Sequence, residues 1–166
     1  MCDMDQKIER SLSITPLDAN TLTRALRICC APEQVQFIGT ADSIINGRKP
    51  SEDVHLICKG DEVLGMFKID RGYAVEMPFC KTDQLGLRGF IVDVSAQGKG
   101  IGRQVTEMLG KYLSQHYPAF SSVLLTVNCK NTQAQHAYLK GGFTDTGELY
   151  HGGAAGPQHI YRKDIK

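Results

Sequence analysis

The chain has 166 residues, 42% of them hydrophobic, and a formal net charge of +1 at pH 7. This length fits one domain with a sizeable core, the apolar fraction excludes a disordered chain, and the near-neutral balance gives no electrostatic reason to expect nucleic acid or an anionic membrane surface as a partner. The apolar runs fall far short of the roughly 20 residues of a membrane span, and residues 1–5 lack the features of a secretion signal, so we expect one cytoplasmic domain over residues 1–166 with its core at roughly 11–163.

The chain should begin with a strand and two helices. Residues 11–17 alternate between polar and apolar side chains and predict the strand. Asp18 is placed to cap a helix that runs through Ile28. Pro32 then fits the first turn of a second helix, which ends at Gly47.

Three strands are expected next. Residues 54–58 and 63–69 are largely apolar and flank a Gly-Asp pair, which predicts a hairpin. A further strand is expected near residues 73–79. Glu76 would then lie on a strand that neighbours the next apolar run of the chain.

A glycine-rich loop follows that apolar run, which extends from Phe90 to Val94. The loop reads Gln97-Gly98-Lys99-Gly100-Ile101-Gly102 and opens onto a helix-patterned segment. Its glycines allow the backbone to approach a ligand closely, and the free N–H groups at a helix start attract an anion. A nucleotide-triphosphate loop would need Lys followed by Ser or Thr after the last glycine, and a dinucleotide fingerprint would need a third glycine where Arg103 stands. Neither fits, so the loop predicts a pyrophosphate site of another kind.

The remaining elements continue this alternation of strands and helices. Apolar residues recur at helical spacing from Val105 to Leu113 and predict an amphipathic helix. Residues 123–127 predict a buried strand, and residues 143–150 and 158–162 predict two closing strands.

A second motif lies between the buried strand and the closing strands. It has the spacing Asn-x-x-Ala-x-x-x-Tyr-x-Lys-x-Gly-Phe, formed by Asn131, Ala134, Tyr138, Lys140, Gly142 and Phe143. Together with the Gln-x-x-Gly-x-Gly loop, this motif resembles the GNAT superfamily of N-acetyltransferases. The resemblance implies an α/β (α+β) GNAT fold, with a mixed, mostly antiparallel twisted sheet of about six to seven strands, a splayed central pair, and about four flanking helices.

The resemblance also implies a reaction, in which an acetyl group moves directly from acetyl-CoA to an amine without a covalent enzyme intermediate. Val92, Asp93 and Val94 would present backbone groups to the pantetheine arm. The loop would hold the pyrophosphate through backbone N–H groups, so the side chains of Lys99 and Ile101 need not contribute. The implied cofactor-binding residues are Val92, Asp93, Val94, Gln97, Gly98, Lys99, Gly100, Ile101, Gly102, Arg103, Asn131, Ala134 and Tyr138.

Tyr138 is the residue that the resemblance places opposite the departing CoA sulfur. Proton transfer from a phenol of pKa near 10 to a thiolate near 8.5 is uphill by about 2 kcal/mol, so hydrogen-bond stabilisation of the thiolate is as plausible as full transfer. Asn131 would contact the cofactor or cap its own helix. The base that deprotonates the amine is open between Asp93, Glu76 and water.

Metal chemistry is not implied by the cysteines. No two of them form a Cys-x-x-Cys pair, and no histidine lies at ligand spacing from them. We therefore expect small buried apolar side chains at Cys2, Cys29, Cys30, Cys58, Cys80 and Cys129, and no metal.

The acceptor is expected to be a small primary amine. Residues 34–38, 88–93 and 146–148 look like the diamine and polyamine acetyltransferase branch, although a cation site would need several carboxylates to converge. The candidates are Glu33, Asp42, Glu76 and Glu148. Two other readings stay open: an acyl-CoA-binding sensor or assembly module without turnover, and an enzyme that acetylates protein amino termini or lysines. A homodimer that associates near the final strands is also expected.

Overall fold

The computed structural model describes residues 11–165, and its framework is a seven-stranded sheet. The strands are β1 (Leu12–Pro16), β2 (Glu52–Lys59), β3 (Glu62–Asp70), β4 (Gln84–Val92), β5 (Ser122–Asn128), β6 (Thr144–Tyr150) and β7 (Gln158–Asp164). Their order across the sheet is β1-β2-β3-β4-β5-β7-β6. All neighbours are antiparallel except β4 and β5, which are parallel. The expected fold class and the mostly antiparallel sheet are therefore confirmed.

Helices connect these strands and cover the sheet. They are α1 (Leu22–Leu26), α2 (Val35–Ile38), α3 (Ala41–Asn46), α4 (Tyr73–Glu76), α5 (Ile101–His116) and α6 (Thr132–Lys140). Single 3₁₀ turns lie at Pro32–Gln34 and Val94–Ala96. No helix within residues 11–165 combines the length and apolar character needed to cross a bilayer.

The two central strands separate after a short paired segment. The parallel pairing of β4 with β5 covers three residue pairs and ends at Gly86 and Leu124. From there β4 continues to Val92 and β5 continues to Asn128. The expected splayed pair is thus present, and it leaves a fork in the middle of the sheet.

Both faces of the sheet are covered by apolar packing. On one face, α5 buries Val105, Leu109 and Leu113 completely against the central strands. On the other face, α1 and α3 pack against β2, β3 and β4. Each fully buried aliphatic side chain contributes about 1.5–3 kcal/mol relative to exposure, so the amphipathic pattern of α5 explains its position.

The second predicted helix is divided in the structure. Gly39 has φ of 92°, which ends α2, and Thr40 caps α3 by accepting a hydrogen bond from the Ser43 N–H at 3.2 Å. The Ser43 hydroxyl accepts the Thr40 N–H in return, which completes a capping box. The prediction of one continuous helix was therefore wrong, because a strong local start signal lies inside the apolar pattern.

The first helix is also shorter than predicted. The Asp18 carboxylate accepts the N–H groups of Asn20 and Thr21 within a turn, so Asp18 does not cap the helix. The helix begins at Leu22 and ends at Leu26, before Ile28.

The strand expected near residues 73–79 is a helical turn, α4. The Asp70 carboxylate accepts the Gly72 N–H at 2.8 Å, which turns the chain away from the sheet after β3. Tyr73 then returns as a buried side chain, while Val75 is 89% exposed. The strand prediction was wrong, and Glu76 lies on this helical turn instead.

Candidate active site

A cavity of about 610 Å³ opens at the fork between β4 and β5. This volume is within the range of small-molecule sites. Leu87, Phe90 and Val92 of β4 form one wall, and Thr126 and Asn128 of β5 belong to the wall as well. The separation of the two strands therefore produces the binding space.

The glycine-rich loop lies at one end of this cavity. Gly98 and Gly100 have φ of 76° and 73°, a region that side chains other than glycine rarely adopt. Gly100 precedes α5, and the first bond of that helix runs from the Gln104 N–H to the Gly100 carbonyl at 3.1 Å. The N–H groups of the first helical turn thus have no acceptor within the helix and can bind an anion.

Three side chains of the loop lie in the core, in solvent or in an ion pair. Ile101 is 8% exposed and belongs to the core under α5. Lys99 is exposed to solvent, and Arg103 pairs with Glu107 at 3.0 Å. This arrangement agrees with anion binding through the backbone.

Gln97 connects the loop to neighbouring elements by hydrogen bonds. Its Nε2 donates to the Val92 carbonyl at 3.1 Å and to Oε1 of Gln34 at 3.0 Å. The Gln34 side chain in turn donates to Gln133 on α6 at 3.2 Å. A chain of three glutamines therefore joins β4, the 3₁₀ turn and α6 beside the cavity.

Asn131 caps α6, which is one of the two roles expected for it. Its Oδ1 accepts the Ala134 N–H at 3.3 Å, and both residues line the cavity. The cap directs the start of α6 toward the fork and sets the orientation of the face that carries Tyr138.

Tyr138 lies in the cavity wall, between two aromatic rings. Its ring contacts Phe90 edge-on at 5.9 Å and Phe143 at 5.6 Å between centroids. Within residues 11–165 no hydrogen bond to its hydroxyl is present, so the group is available to a ligand. Burial raises the pKa of Tyr138 above its usual range. The hydroxyl therefore stays protonated and suits hydrogen-bond donation better than complete proton transfer.

Asp93 is bound by the protein itself. Its carboxylate accepts the N–H groups of Cys29 at 2.9 Å and Ser95 at 3.0 Å, and the Ser95 hydroxyl also donates to it. Burial alone would raise the pKa of Asp93, but the hydrogen bonds from Ser95 and Cys29 outweigh it and lower the pKa. Of the three residues expected to face the pantetheine arm, Val92 lines the cavity, whereas the N–H groups of Asp93 and Val94 donate to protein carbonyls.

Glu76 is paired with two cations. One oxygen accepts from Nη2 of Arg88 at 3.1 Å, and the other pairs with Lys49. Glu76 does not line the cavity, but Arg88 does. Both candidate bases are thus carboxylates that have partners in the protein and do not line the cavity.

Arg88, Tyr73, Thr126 and Tyr150 were not singled out as site residues from sequence, yet all of them line the cavity. The guanidinium of Arg88 lies 4.7 Å from the centroid of the Tyr73 ring and donates to Asp70 at 3.2 Å. An arginine within the apolar strand QLGLRGFIV is the signal that could have identified this end of the site.

The charged residues in the described part of the cavity wall are all positive. Arg88 and Arg103 are its charged members, and no aspartate, glutamate or histidine of the described residues belongs to it. The carboxylates considered for a polyamine site, Glu33, Asp42, Glu76 and Glu148, are therefore not part of this wall.

Cysteines and histidines form no metal site in residues 11–165. Cys30 and Cys58 are buried, Cys80 and Cys129 are half-buried, and Cys29 is exposed. Burial raises the pKa of the Cys30 and Cys58 thiols, which keeps them protonated. Cys2 lies outside the described residues.

Comparison with known proteins agrees with this fold. Over residues 20–143 the sequence matches the model of the acetyltransferase (GNAT) family. It is 36% identical over 50 residues to the uncharacterized N-acetyltransferase YbbJ of Bacillus subtilis (strain 168), and the match covers 30% of this chain and 31% of that protein.

Two solved structures share the fold at low sequence identity. The aminoglycoside acetyltransferase AAC(6')-Ib, in a complex with coenzyme A, superimposes with a TM-score of 0.74 at 15% identity and covers 93% of this chain and 95% of that one. A chimera of the spermidine N-acetyltransferase SpeG from Vibrio cholerae and hSSAT has a TM-score of 0.67 at 16% identity, with 93% and 95% coverage. The chain belongs to the acetyltransferase (GNAT) family.

Proposed function

We propose that the chain, as a single acetyltransferase domain, transfers an acetyl group from acetyl-CoA directly to the primary amine of a small molecule. The observation that carries this proposal is the position of Tyr138, which lines the fork that begins at the glycine-rich loop and whose hydroxyl has no partner within residues 11–165. A helix start for the pyrophosphate and a phenol for the sulfur are thus combined in one cavity.

The cosubstrate would bind along the fork. Its pyrophosphate would lie at the backbone N–H groups of the loop from Gln97 to Arg103, and its pantetheine arm would pass Val92, Asn131 and Ala134. The amine nitrogen attacks the thioester carbonyl, the carbon–sulfur bond breaks, and the sulfur leaves with the electron pair. Tyr138 donates a hydrogen bond to that sulfur and so stabilises the developing thiolate.

Proton loss from the amine is assigned to water in this proposal. Asp93 and Glu76, the two carboxylates considered for this role, have hydrogen-bonded partners in the protein, and neither lines the cavity. A base must reach the amine directly or through one water, so a water chain through the open cavity meets this requirement better than either carboxylate.

The first experiment measures CoA-thiol release from acetyl-CoA with a panel of amines. The panel contains spermidine, spermine, putrescine, amino acids, an aminoglycoside and a short peptide. Tyr138→Phe should lose most of the turnover and keep its affinity for acetyl-CoA, because the phenol acts in the transition state. Tyr112→Phe, which changes a tyrosine outside the cavity, should keep full turnover.

Other outcomes would redirect the proposal. Tight acetyl-CoA binding with no thiol release for any amine would favour a sensor or assembly module. Turnover of the peptide alone would favour an enzyme that acts on protein amino groups. Turnover of the polyamines alone would favour a polyamine acceptor, a reading supported by the fold shared with the spermidine N-acetyltransferase chimera.

The assembly and location of the enzyme are part of the same proposal. We expect a homodimer in the cytoplasm. β6 is an edge strand of the sheet with mostly exposed residues, so it offers backbone groups for pairing with a second copy. The mass of the particle in solution, measured by light scattering, tests this arrangement.

A further inference from the structure

We propose that the acceptor carries a carboxylate in addition to its amine, and that this carboxylate binds Arg88. The inference rests on the proposed function and narrows its acceptor to amino-acid-type molecules with an apolar body. It follows from three properties of the cavity: its charge, the free hydrogen-bonding capacity of Arg88, and the presence of Arg88 and Tyr138 in one wall.

The charge of the wall disfavours a polycation. Its two charged members are arginines, and Arg103 lies at the loop that would hold the pyrophosphate. Arg88 is therefore the charged group left for the acceptor. Each additional ammonium group of a polyamine would lose its hydration in this cavity without gaining a carboxylate from the described wall, which is unfavourable.

Arg88 lines the cavity and retains hydrogen-bonding capacity. Its Nε donates to Asp70 at 3.2 Å and lies 3.9 Å from Oε2 of Glu52, and its Nη2 donates to Glu76 at 3.1 Å. Within residues 11–165 no partner is found for Nη1, and the side chain is 25% exposed. A guanidinium carries five N–H donors, so Nη1 is free to bind a carboxylate oxygen.

The position of Arg88 is also held firmly. Its guanidinium lies 4.7 Å from the Tyr73 ring centroid, and the carboxylate of Asp70 beneath it is almost fully buried. A cation fixed by a ring and a buried carboxylate loses little side-chain freedom when it binds a ligand.

Arg88 and Tyr138 line the same cavity, whose volume is about 610 Å³. Phe90 contacts the ring of Tyr138, and a bulge of β4 at Gly89, which has φ of 60°, lies between Phe90 and Arg88. A small molecule can therefore place its amine near Tyr138 and its carboxylate at Arg88, and Ile38, Met77 and Leu87 supply an apolar surface for its body.

The test compares acceptors that differ by one carboxylate. Thiol release is measured with L-phenylalanine against phenethylamine, with 4-aminobutyrate against propylamine, and with spermidine. We expect kcat/KM to be at least about tenfold higher for the better amino acid than for its carboxylate-free partner, the size of one charge-assisted hydrogen bond. Arg88→Gln should remove this ratio by raising KM for the amino acid.

A surface variant keeps the test independent of folding. Glu76→Gln removes a negative charge that competes for Arg88, and Glu76 is 42% exposed, so the fold should tolerate the change. It should lower KM for the amino acid and leave KM for the carboxylate-free amine unchanged. Glu62→Gln, an exposed residue of the hairpin, is the matched control and should change neither value.

The outcomes separate this inference from the proposed function. If spermidine or phenethylamine is the best acceptor and the variants affect all acceptors equally, the carboxylate inference is overturned while acetyl transfer stands. If Glu76→Gln lowers kcat for every acceptor, Glu76 acts as the base and the inference is likewise overturned. If no amine of the panel releases CoA thiol, both proposals fail.

Discussion

The ring of Tyr73 occupies the space that a side chain on Gly86 would need. A Cβ atom at Gly86 would lie 2.2 Å from Cγ and Cδ2 of that ring. Gly86 is the last residue of β4 that pairs with β5, and Tyr73 packs in one apolar cluster with Leu124, the β5 residue that pairs with Gly86. Tyr73 thus packs at the point where the two strands separate and contacts both of them.

Gly86→Ala should therefore destabilise the protein. The ring must move or the strands must shift, and overpacking of this kind costs about 1–3 kcal/mol. Urea denaturation of both proteins measures the loss. Gly110→Ala is the control: its Cβ would meet its nearest atoms at 3.5 Å inside α5, so this change should be neutral or stabilising by up to about 1 kcal/mol. Equal stability of the two variants would contradict the packing described for Tyr73.

The backbone of the loop gives a second prediction, on cosubstrate affinity. Gly98 has φ of 76° and open space around its Cβ position, so Gly98→Ala adds backbone strain without a collision. The free loop of this variant can relieve the strain by relaxing and must take it up again, at a cost of about 1–2 kcal/mol, to bind the pyrophosphate, so acetyl-CoA binding should weaken by about 5- to 30-fold in calorimetry. Lys99→Ala should change the affinity far less, because its side chain is exposed and the backbone is expected to bind the pyrophosphate. A larger loss for Lys99→Ala would show that the side-chain charge dominates.

The stability of the protein at acid pH is expected to depend on His55, which lies in a buried chain of hydrogen bonds. Tyr117 donates its hydroxyl proton to Asp53 at 2.8 Å, so Nε2 of His55 donates to Tyr117 at 2.7 Å. Nδ1 of His55 then accepts from the Tyr112 hydroxyl at 2.6 Å. Burial, reinforced by the neighbouring His116, lowers the pKa of His55 from 6.5 to about 4, despite the opposing effect of Asp53.

The folded state therefore binds a proton at His55 less readily than the unfolded state does. The stability due to neutral His55 is fully present above pH 6.5 and is lost as the pH falls from 6.5 to about 4, by about 3 kcal/mol in total. Unfolding free energies measured across this interval should show the loss. His55→Gln should flatten the curve, whereas His136→Gln, at an exposed histidine, should retain it. If His55→Gln left the dependence of the unfolding free energy on pH unchanged, the loss of stability would come from other titratable groups.

Asp93 is predicted to anchor the end of β4 rather than to accept a substrate proton. Asp93→Asn replaces one accepting oxygen by an NH₂ group, so one of the hydrogen bonds from Cys29 and Ser95 is lost. The stability should fall by about 1–3 kcal/mol, and the dependence of kcat/KM on pH should keep its shape. If Asp93→Asn removed the part of the pH profile in which kcat/KM rises as a group loses its proton, Asp93 would be identified as the base.

The cofactor half of the site could be predicted from sequence because its signals are local. Glycine spacing, a helix pattern and an Asn cap are properties of neighbouring residues, and they placed the loop, α5 and Tyr138 correctly in the fold. The acceptor half could not be predicted in this way. Arg88 and Tyr73 become neighbours through the turn after β3, and the alternation of residues 73–79 resembles a strand because Tyr73 and Met77 are buried while Val75 is exposed. The conformation of residues 73–79 is therefore set by long-range packing.

The short pairing of β4 with β5 leaves a strand edge in the interior of the molecule. From Leu87 to Val92, one side of β4 presents backbone N–H and C=O groups that no strand satisfies. A ligand arm with amide groups can pair with such an edge as a short strand would, while other protein chains are kept away by the helices around it. Amide hydrogen exchange in this segment should therefore slow when acetyl-CoA binds, and the sheet becomes continuous only in the complex.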